Sequence, residues 1–421
     1  MKPKYLKRIA DSVLHLSLEA SGAVLIEGPK WCGKTRTAEE IAASSLYMQD
    51  PNTLSSNLLI ADTKPSLLLR GKAPRLIDEW QVAPVLWDAV RFAVDQRGGT
   101  GHFILTGSAV PADNAILHTG TGRISRMVMH TMSLFESDES SGEVSLKSLF
   151  TDDYTIEGSS RISIEQLAFA IARGGWPQSI KEKEHIALRR VYDYLEAVIN
   201  TDVSRIDNVE KNPARVRTLL RSFARNISSV AGNSTLKNDA PSVDEASSTK
   251  TIATYLNALR RIFVIEDLPA WSPVIRSRTT LRSSPKRHFS DPSIAVAALR
   301  ATPDTLLDDF STFGLLFASL VIRDLRVYLQ AMEGDLFHFR DRYGLEADAI
   351  IQLRDGRWAA VEVKMGNKEI EVAAANLKKI KARMASELAK DPTFLMIITA
   401  SGLAYQRKDG VYVVPIGCLK N

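Results

Sequence analysis

The run Gly28-Pro29-Lys30-Trp31-Cys32-Gly33-Lys34-Thr35 sets two glycines, a lysine and a hydroxyl in the spacing GxxxxGK[ST]. The chemistry that spacing serves is phosphate binding. Glycines let backbone N–H groups approach and surround anionic oxygens. A helix opening at Gly33 turns the positive end of its dipole toward the same anion. Lys34 reaches the β- and γ-phosphates of a bound nucleotide, and Thr35 holds Mg²⁺. All eight residues are candidate cofactor-binding positions, and Lys34 is a candidate catalytic group as well.

A second cluster follows 40 residues later in Arg75-Leu-Ile-Asp78-Glu79. Asp78, at the end of an apolar strand, is a candidate for the Mg²⁺ shell. Glu79 is the candidate base that orients and deprotonates the attacking water. Thr106 and Ser108, after the apolar run Phe103-Ile-Leu, are candidates to touch the γ-phosphate or the water; a plain turn or cap is the other reading. Arg123 and Arg126 are candidates to neutralise transition-state charge, with Arg123 favoured over Arg126; a surface arginine is the alternative.

The last hundred residues carry a third constellation. Glu346-Ala-Asp348 precedes Glu362-Val-Lys364, with a turn at Asp355-Gly356 between two apolar strands. Alternation in a strand puts Glu362 and Lys364 on one side, and a hairpin brings Asp348 beside them. Asp348 and Glu362 are candidate hard-oxygen Mg²⁺ ligands. Lys364 is a candidate catalytic lysine that stabilises charge developing on a phosphate.

These groups need a framework. Residues 4–20 read as an amphipathic helix with Leu6, Ile9, Val13, Leu16 and Leu18 on one side. Apolar strands at 23–27, 76–77 and 103–105 alternate with helical stretches near 34–44 and 82–97, which predicts a parallel α/β sheet. Residues 136–157 hold seven acids against one lysine and many serines, and read as an exposed loop near a domain boundary. Helical patterns fill 163–206, broken at Gly174-Gly175-Trp176-Pro177, and recur at 213–226 and 249–263. A helix at 312–331 opens a second α/β segment with strands at 335–340, 346–353, 358–364, 394–399 and 411–415 and a lysine-rich helix near 369–389.

The chain of 421 residues is 45% apolar and 24% charged, within the range of globular proteins, so wholesale disorder and fibrous repeats are excluded. No apolar run is long enough to cross a bilayer as a helix, which predicts no membrane partner. Two widely separated cysteines, Cys32 and Cys418, argue for a reducing compartment, and a cytoplasmic location is expected. The seven histidines lack zinc-ligand spacing. A net charge of +5 is compatible with DNA as a partner. The basic series Arg276, Arg278, Arg282, Lys286 and Arg287, after the helix whose apolar face is Ile252, Tyr255, Leu256, Leu259 and Ile262, could contact phosphates along a wing-like strip.

The order of the phosphate loop, Ile77-Asp78-Glu79-Trp80, Leu105-Thr106-Gly107-Ser108 and Gly122-Arg123 resembles a prokaryotic AAA+ ATPase family with an uncharacterised C-terminal domain. Gly174-Gly175-Trp-Pro177 and His288-Phe-Ser-Asp291-Pro292 fit the same resemblance. The Asp348…Glu362-x-Lys364 arrangement resembles the PD-(D/E)xK nuclease superfamily. What this implies is an AAA+ parallel sheet over 1–150, a helical lid over 151–210, a winged-helix-like domain over 211–303 and a restriction-endonuclease-like α/β domain over 304–421. One departure is plain: Ala318 stands where the nuclease family usually carries a helix glutamate.

The expected activity is ATP binding and Mg²⁺-dependent ATP hydrolysis, coupled to DNA-binding and nuclease-like modules. The alternative is a nucleotide-gated switch whose inactive nuclease-like C-terminus only docks DNA or a protein. Assembly into a homo-oligomer is left open by the sequence. A small-molecule kinase is disfavoured, because the C-terminal 280 residues look unlike a lid for an acceptor.

Overall fold

Short apolar runs of the first third become strands covered on both faces, and the helices between them supply the cover. In this computed structural model, residues 4–108, 119–151, 156–205, 211–239, 249–272, 284–385 and 390–421 are described. Helix α1 (Ile9–Ala20) leads into β1 (Ala23–Glu27), α2 (Lys34–Ile41), β2 (Ser44–Tyr47), α3 (Leu54–Thr63), β3 (Arg75–Asp78), α4 (Val85–Arg97), β4 (Phe103–Gly107) and β5 (Ile124–Val128). The five strands form one parallel sheet in the order β2-β3-β4-β1-β5. Alternation divides β1 between two cores. Val24 and Ile26 pack with Leu14 and Leu18 of α1, whereas Ala23 and Leu25 pack with Trp87 and Val90 of α4. Within α1 the buried face is Ile9, Ala10, Leu14 and Leu18; Leu16, expected inside, is exposed.

All five strands run the same way, so their C-terminal ends share one edge. That edge carries the loop after Glu27, the acids after Ile77 and the hydroxyls after Leu105. Crossing from β1 to β4 to β3 therefore brings the three sequence-distant clusters together.

Residues 136–157 are not the exposed loop expected. Ser137, Ser140, Val144, Leu146, Leu149 and Phe150 are buried. The short β6 (Val144–Ser145) lies here, followed by β7 (Gly158–Ser159). The acids have buried partners: Glu136 pairs with Arg8 and Glu139 with Arg173. Charge density read as exposure because the two arginines are remote in sequence.

The middle of the chain is helical: α5 (Ile164–Arg173), α6 (Glu184–Ala197), a π-helical turn Val198–Asp202, α7 (Val203–Arg205), α8 (Pro213–Arg225), α9 (Asn233–Asn238), α10 (Thr249–Arg261), α11 (Pro292–Leu299), α12 (Pro303–Asp308) and α13 (Phe310–Gln330). The apolar face of α10 is buried at Ile252, Leu256, Leu259 and Ile262. Between α10 and α11 the chain makes an antiparallel hairpin, with bridges Ile265–Phe289 and Leu268–Lys286. Its first arm continues alongside β8 (Gly334–Arg340), through a parallel bridge between Ala270 and His338.

The C-terminal segment continues with β9 (Glu346–Leu353), β10 (Trp358–Lys364), α14 (Ile370–Ala385), β11 (Phe394–Thr399), β12 (Leu403–Gln406), β13 (Tyr412–Pro415) and β14 (Leu419–Lys420). Its seven-stranded mixed sheet has the order β7-β12-β13-β11-β10-β9-β8. The last strand, β14, leaves this sheet and pairs in parallel with β6.

One hydrophobic cluster runs through residues of all three segments, from Ile9 to Leu419. A buried polar junction crosses the same cluster. Asp291 caps α11 and accepts hydrogen bonds from Thr131 Oγ1 at 2.7 Å and Gly175 N at 2.9 Å. Arg323 of α13 donates to Asp291 at 3.2 Å and to Asp324 at 2.6 and 2.8 Å. Asp324 in turn accepts from Leu134 N at 3.0 Å. Gly175 must be glycine because an added Cβ would lie 2.1 Å from the Met132 carbonyl oxygen. The Gly174-Gly175-Trp-Pro turn and the Asp291-Pro292 cap are thus two sides of one joint.

Candidate functional site

The loop after β1 wraps back on itself. Gly28 has φ 145° and Gly33 φ 105°, both in territory that favours glycine. A Cβ at Gly28 would lie 2.3 Å from the Met129 carbonyl. Lys34, almost fully buried, donates through Nζ to the carbonyls of Gly28 at 2.9 Å and Pro29 at 2.8 Å. Arg8 braces the loop from behind, donating to the carbonyls of Cys32 and His130 at 2.8 Å each. Glu136 holds that guanidinium at 3.1 Å. Arg8 carried no signal in the sequence, because its partners lie 24 to 128 residues away. The Cys32 thiol is wholly buried and packs against α1.

Lys30 and Trp31 face the helical segment instead of the loop's interior. Lys30 Nζ pairs with Asp202 at 2.6 Å. The Trp31 ring tilts against Tyr194 with centroids 5.7 Å apart, and Tyr194 stacks on Trp176 at 4.6 Å. Of the eight loop positions, these two contact α6 and the π turn through their side chains, and only their backbones join the ring.

The acidic pair lies across the shared edge. Asp78 Oδ1 accepts from Thr35 Oγ1 at 2.6 Å and from Thr106 Oγ1 at 2.7 Å. Thr106 is fully buried and accepts from the Glu79 N–H at 3.1 Å. Glu79 sits in the left-handed region with φ 56°, at the end of β3. Ser108 Oγ donates to Glu79 Oε2 at 3.2 Å, and Gln81 Nε2 donates to the same oxygen. Thr106 and Ser108 therefore hold the two acids in place; Thr106 has no hydroxyl capacity directed at a phosphate. Gln81 went unread in the sequence, since a glutamine after an acidic pair has no distinctive pattern.

Arg123 does not join this cluster. It precedes β5, and its carbonyl accepts from Ala23 N at 3.0 Å, at the start of β1 and the far end of the sheet. Its guanidinium pairs with Asp95 at 2.8 Å. Arg126, three positions further along, pairs instead with Glu27, at 3.5 Å beside the loop. Burial pushes the Glu27 carboxyl above its usual range.

At the C-terminal sheet, Asp348 of β9 and Glu362 and Lys364 of β10 do converge. Lys364 Nζ lies 3.0 Å from Glu362 Oε2, and Asn376 of α14 donates to Glu362 Oε1 at 2.7 Å. Asp348 Oδ2 accepts from Val363 N at 3.0 Å. Its other oxygen accepts from Lys286 Nζ at 2.9 Å. Burial, aided by the charge of Asp348, pushes the Glu362 carboxyl up to about 7. Burial opposes the charge on Asp348 too, but Lys286 and Lys364 outweigh it and hold this carboxyl below its usual range.

Lys286 and Arg287 are thereby removed from the phosphate-facing strip expected for them. Arg287 is buried against Asp267 at 3.0 Å and donates to the Ala231 carbonyl at 2.8 Å. Arg276, Arg278 and Arg282 lie outside the described residues. Among the described residues, no group of three or more His, Cys, Asp or Glu side chains is arranged to hold a metal ion. No helix among them is long and apolar enough to cross a membrane.

Comparison with known proteins divides the chain in three. Residues 20–137 match the AAA domain family. Residues 20–137 form a P-loop ATPase domain. ATP is the nucleotide that such a domain binds and hydrolyses, and residues 20–137 include the ring around Lys34 and its facing acids. Residues 164–305 and 313–419 match two families, each described as a domain of unknown function. Uncharacterized proteins of Mycobacterium tuberculosis and Mycobacterium bovis are each 25% identical over 362 residues, covering 85% of this chain and 74% of theirs. A Walker-type ATPase of Pyrococcus abyssi superposes with a TM-score of 0.41 at 14% identity, covering 70% of this chain and 97% of its own.

Proposed function

We propose that this protein uses ATP hydrolysis in its P-loop domain to control a DNA-directed, metal-dependent phosphodiester-cleaving site in its C-terminal domain. The observation that carries the second half is the convergence of Asp348, Glu362 and Lys364 on adjacent strands, in a domain sharing its core with the ATPase.

In the ATPase site, the loop amides and Lys34 bind the triphosphate. Thr35 and Asp78 are the right donors for Mg²⁺: a hydroxyl and a carboxylate oxygen 2.6 Å apart, both hard oxygens. Mg²⁺ would supply charge neutralisation on the phosphate oxygens. Glu79 accepts the proton of the attacking water, oriented by the Ser108 and Gln81 donors on its Oε2. Thr106 ties the main chain of Glu79 to Asp78, so the base and the metal-holding acid keep a fixed relation.

In the C-terminal site, Asp348 and Glu362 supply two carboxylates, the donor set with which Mg²⁺ is commonly held beside a phosphate. Such an ion would polarise a scissile phosphate. Lys364 donates toward the charge that develops there, and Asn376 fixes the orientation of Glu362. DNA as the substrate class rests on the winged-helix reading of the sequence over α10 and the hairpin that follows it.

The test pairs two assays on the full chain. ATP turnover should vanish in Lys34→Ala. Labelled DNA with Mg²⁺ or Mn²⁺ should be cut by wild type and spared by Asp348→Ala and Lys364→Ala. A second reading, a nucleotide-gated module that docks DNA or protein without cutting, draws support from the Lys286–Asp348 pair, because that ammonium occupies a carboxylate oxygen the metal needs. Absence of cleavage with every metal and DNA form would favour it.

A further inference from the structure

Every carboxylate oxygen of the C-terminal pair is already engaged. Asp348 is shared between Lys286 Nζ and Val363 N, and Glu362 between Asn376 Nδ2 and Lys364 Nζ. Lys364 belongs to the same strand as Glu362. Lys286 does not: it arrives from the hairpin between α10 and α11, some sixty residues earlier. Its side chain is only 10% exposed, so the ammonium is not a surface group that swings past.

The hairpin gives it a fixed platform. Lys286 and Leu268 exchange both backbone hydrogen bonds at 2.9 Å. The first arm is anchored on β8, with Trp271 N donating to the His338 carbonyl at 2.7 Å and Trp271 Nε1 to Gln352 Oε1 of β9 at 2.9 Å. On its outer side, Arg287 exchanges backbone hydrogen bonds at 2.8 Å with Ser228 and Ser229. The backbone of Lys286 and Arg287 is thus held on both sides, and a change at Asp348 has to come through the Lys286 side chain.

Charge completes the picture. Asp348 and Glu362 each face a lysine ammonium, Lys286 and Lys364, so the cluster supplies its own positive charge with no added ion. A divalent cation seated on Asp348 would sit about 2.0–2.6 Å from its oxygen. The Lys286 nitrogen would then be held within a few ångströms of a second, larger positive charge in a partly buried place. Mutual repulsion makes the two compete for the carboxylate.

We infer that Lys286 is a built-in competitor of the divalent cation at Asp348, an ammonium latch that keeps the C-terminal site unloaded until the side chain leaves. The inference rests on the metal-site reading under Proposed function and adds its regulation. Whatever draws the Lys286 side chain away from Asp348 changes the affinity of the site for metal.

The test is Mn²⁺ binding to the full-length protein by calorimetry, counting only heat removed by Asp348→Asn. Lys286→Met should bind Mn²⁺ roughly tenfold more tightly than wild type. Since that variant could lose the hairpin's seat, wild type is also acetylated with an amine-reactive ester and mapped by mass spectrometry. Lys286 should be protected without Mn²⁺, labelled with saturating Mn²⁺, and labelled in Asp348→Asn without any metal. Unchanged Mn²⁺ affinity in Lys286→Met, with equal protection of Lys286 at all Mn²⁺ concentrations, overturns the latch and leaves the metal site standing. Failure of wild type and Lys286→Met alike to show any Asp348-dependent Mn²⁺ binding overturns both.

Discussion

Thr106→Val separates holding the acids from binding the nucleotide. Valine has threonine's shape, so the change exchanges one hydroxyl for a methyl group at a fully buried position. Asp78 Oδ1 then keeps one of its two hydroxyl donors, and the Glu79 N–H loses its acceptor. A hydrogen bond to a charged group is worth about 1.5–3 kcal/mol. If that loss falls on the placement of Glu79, kcat drops by roughly 10- to 100-fold, each 1.4 kcal/mol being tenfold. Nucleotide affinity should change by less than about threefold, because the phosphate ring is built by residues 28–35 and does not include Thr106. Thr106→Ser restores the hydroxyl and should restore turnover. Steady-state ATP hydrolysis and a fluorescent-nucleotide titration measure the two quantities. Wild-type kcat in Thr106→Val, or equal damage in Thr106→Ser, would refute the argument.

Four further outcomes follow from the same geometry. Arg123→Ala should leave ATP turnover of the isolated chain within about twofold of wild type, since its guanidinium is tied to Asp95 at the far end of the sheet; a hundredfold loss would put it back in the site. Gly175→Ala should lower the melting temperature sharply or prevent soluble expression, because its Cβ would lie 2.1 Å from a main-chain oxygen; an unchanged melt would contradict the joint described. Asp291→Ala leaves Arg323 with Asp324 alone and should cost on the order of 3–5 kcal/mol, read by denaturant unfolding. pH separates two buried groups of opposite sign. Burial pushes His338 down to about 4 from 6.5, so the unfolded chain takes up a proton that the folded one refuses, and stability falls as pH drops from 6.5 to 4. Glu362, pushed up to about 7 from 4.5, keeps its proton in the folded state, so stability falls as pH rises from 4.5 to 7. Relative to wild type, Glu362→Gln should gain stability between pH 4.5 and 8, and His338→Asn should gain between pH 7 and 4. Melts run across that range would show parallel curves if either assignment were wrong.

What could be read from the sequence was whatever is encoded locally. The strands at 23–27, 75–78 and 103–107, the helices at 213–225 and 249–261, and the meander of β8, β9 and β10 announce themselves by period and by turn residues. Asp348, Glu362 and Lys364 were found together because a hairpin is a local object. Partners distant in sequence could not be read. Glu136 and Glu139 look like solvated acids until Arg8 and Arg173 are placed against them. Lys286 and Arg287 look like a basic surface strip until Asp348 and Asp267 are seen beneath them. Arg123 and Arg126 differ by three positions in the sequence, and only the direction of β5 tells which end of the sheet each one serves. The Gly-Gly-Trp-Pro turn reads as a break in the helical pattern, and its contact with Asp291 involves a residue 116 positions later.

The pairing of β14 with β6 has a bearing on how the chain must be made. Leu419 and Lys420 lie beside Val144 and Ser145, while Ser140 Oγ donates to the Leu419 carbonyl at 2.7 Å. On a ribosome, residues 134–150 therefore emerge with no strand to pair with. At roughly 5–20 residues per second, their partner arrives about a quarter of a minute to a minute later. Until then Val144, Leu146, Leu149 and Phe150 lack the strand that pairs beside them, so a nascent chain of this protein should hold chaperones until residues 419–420 have emerged.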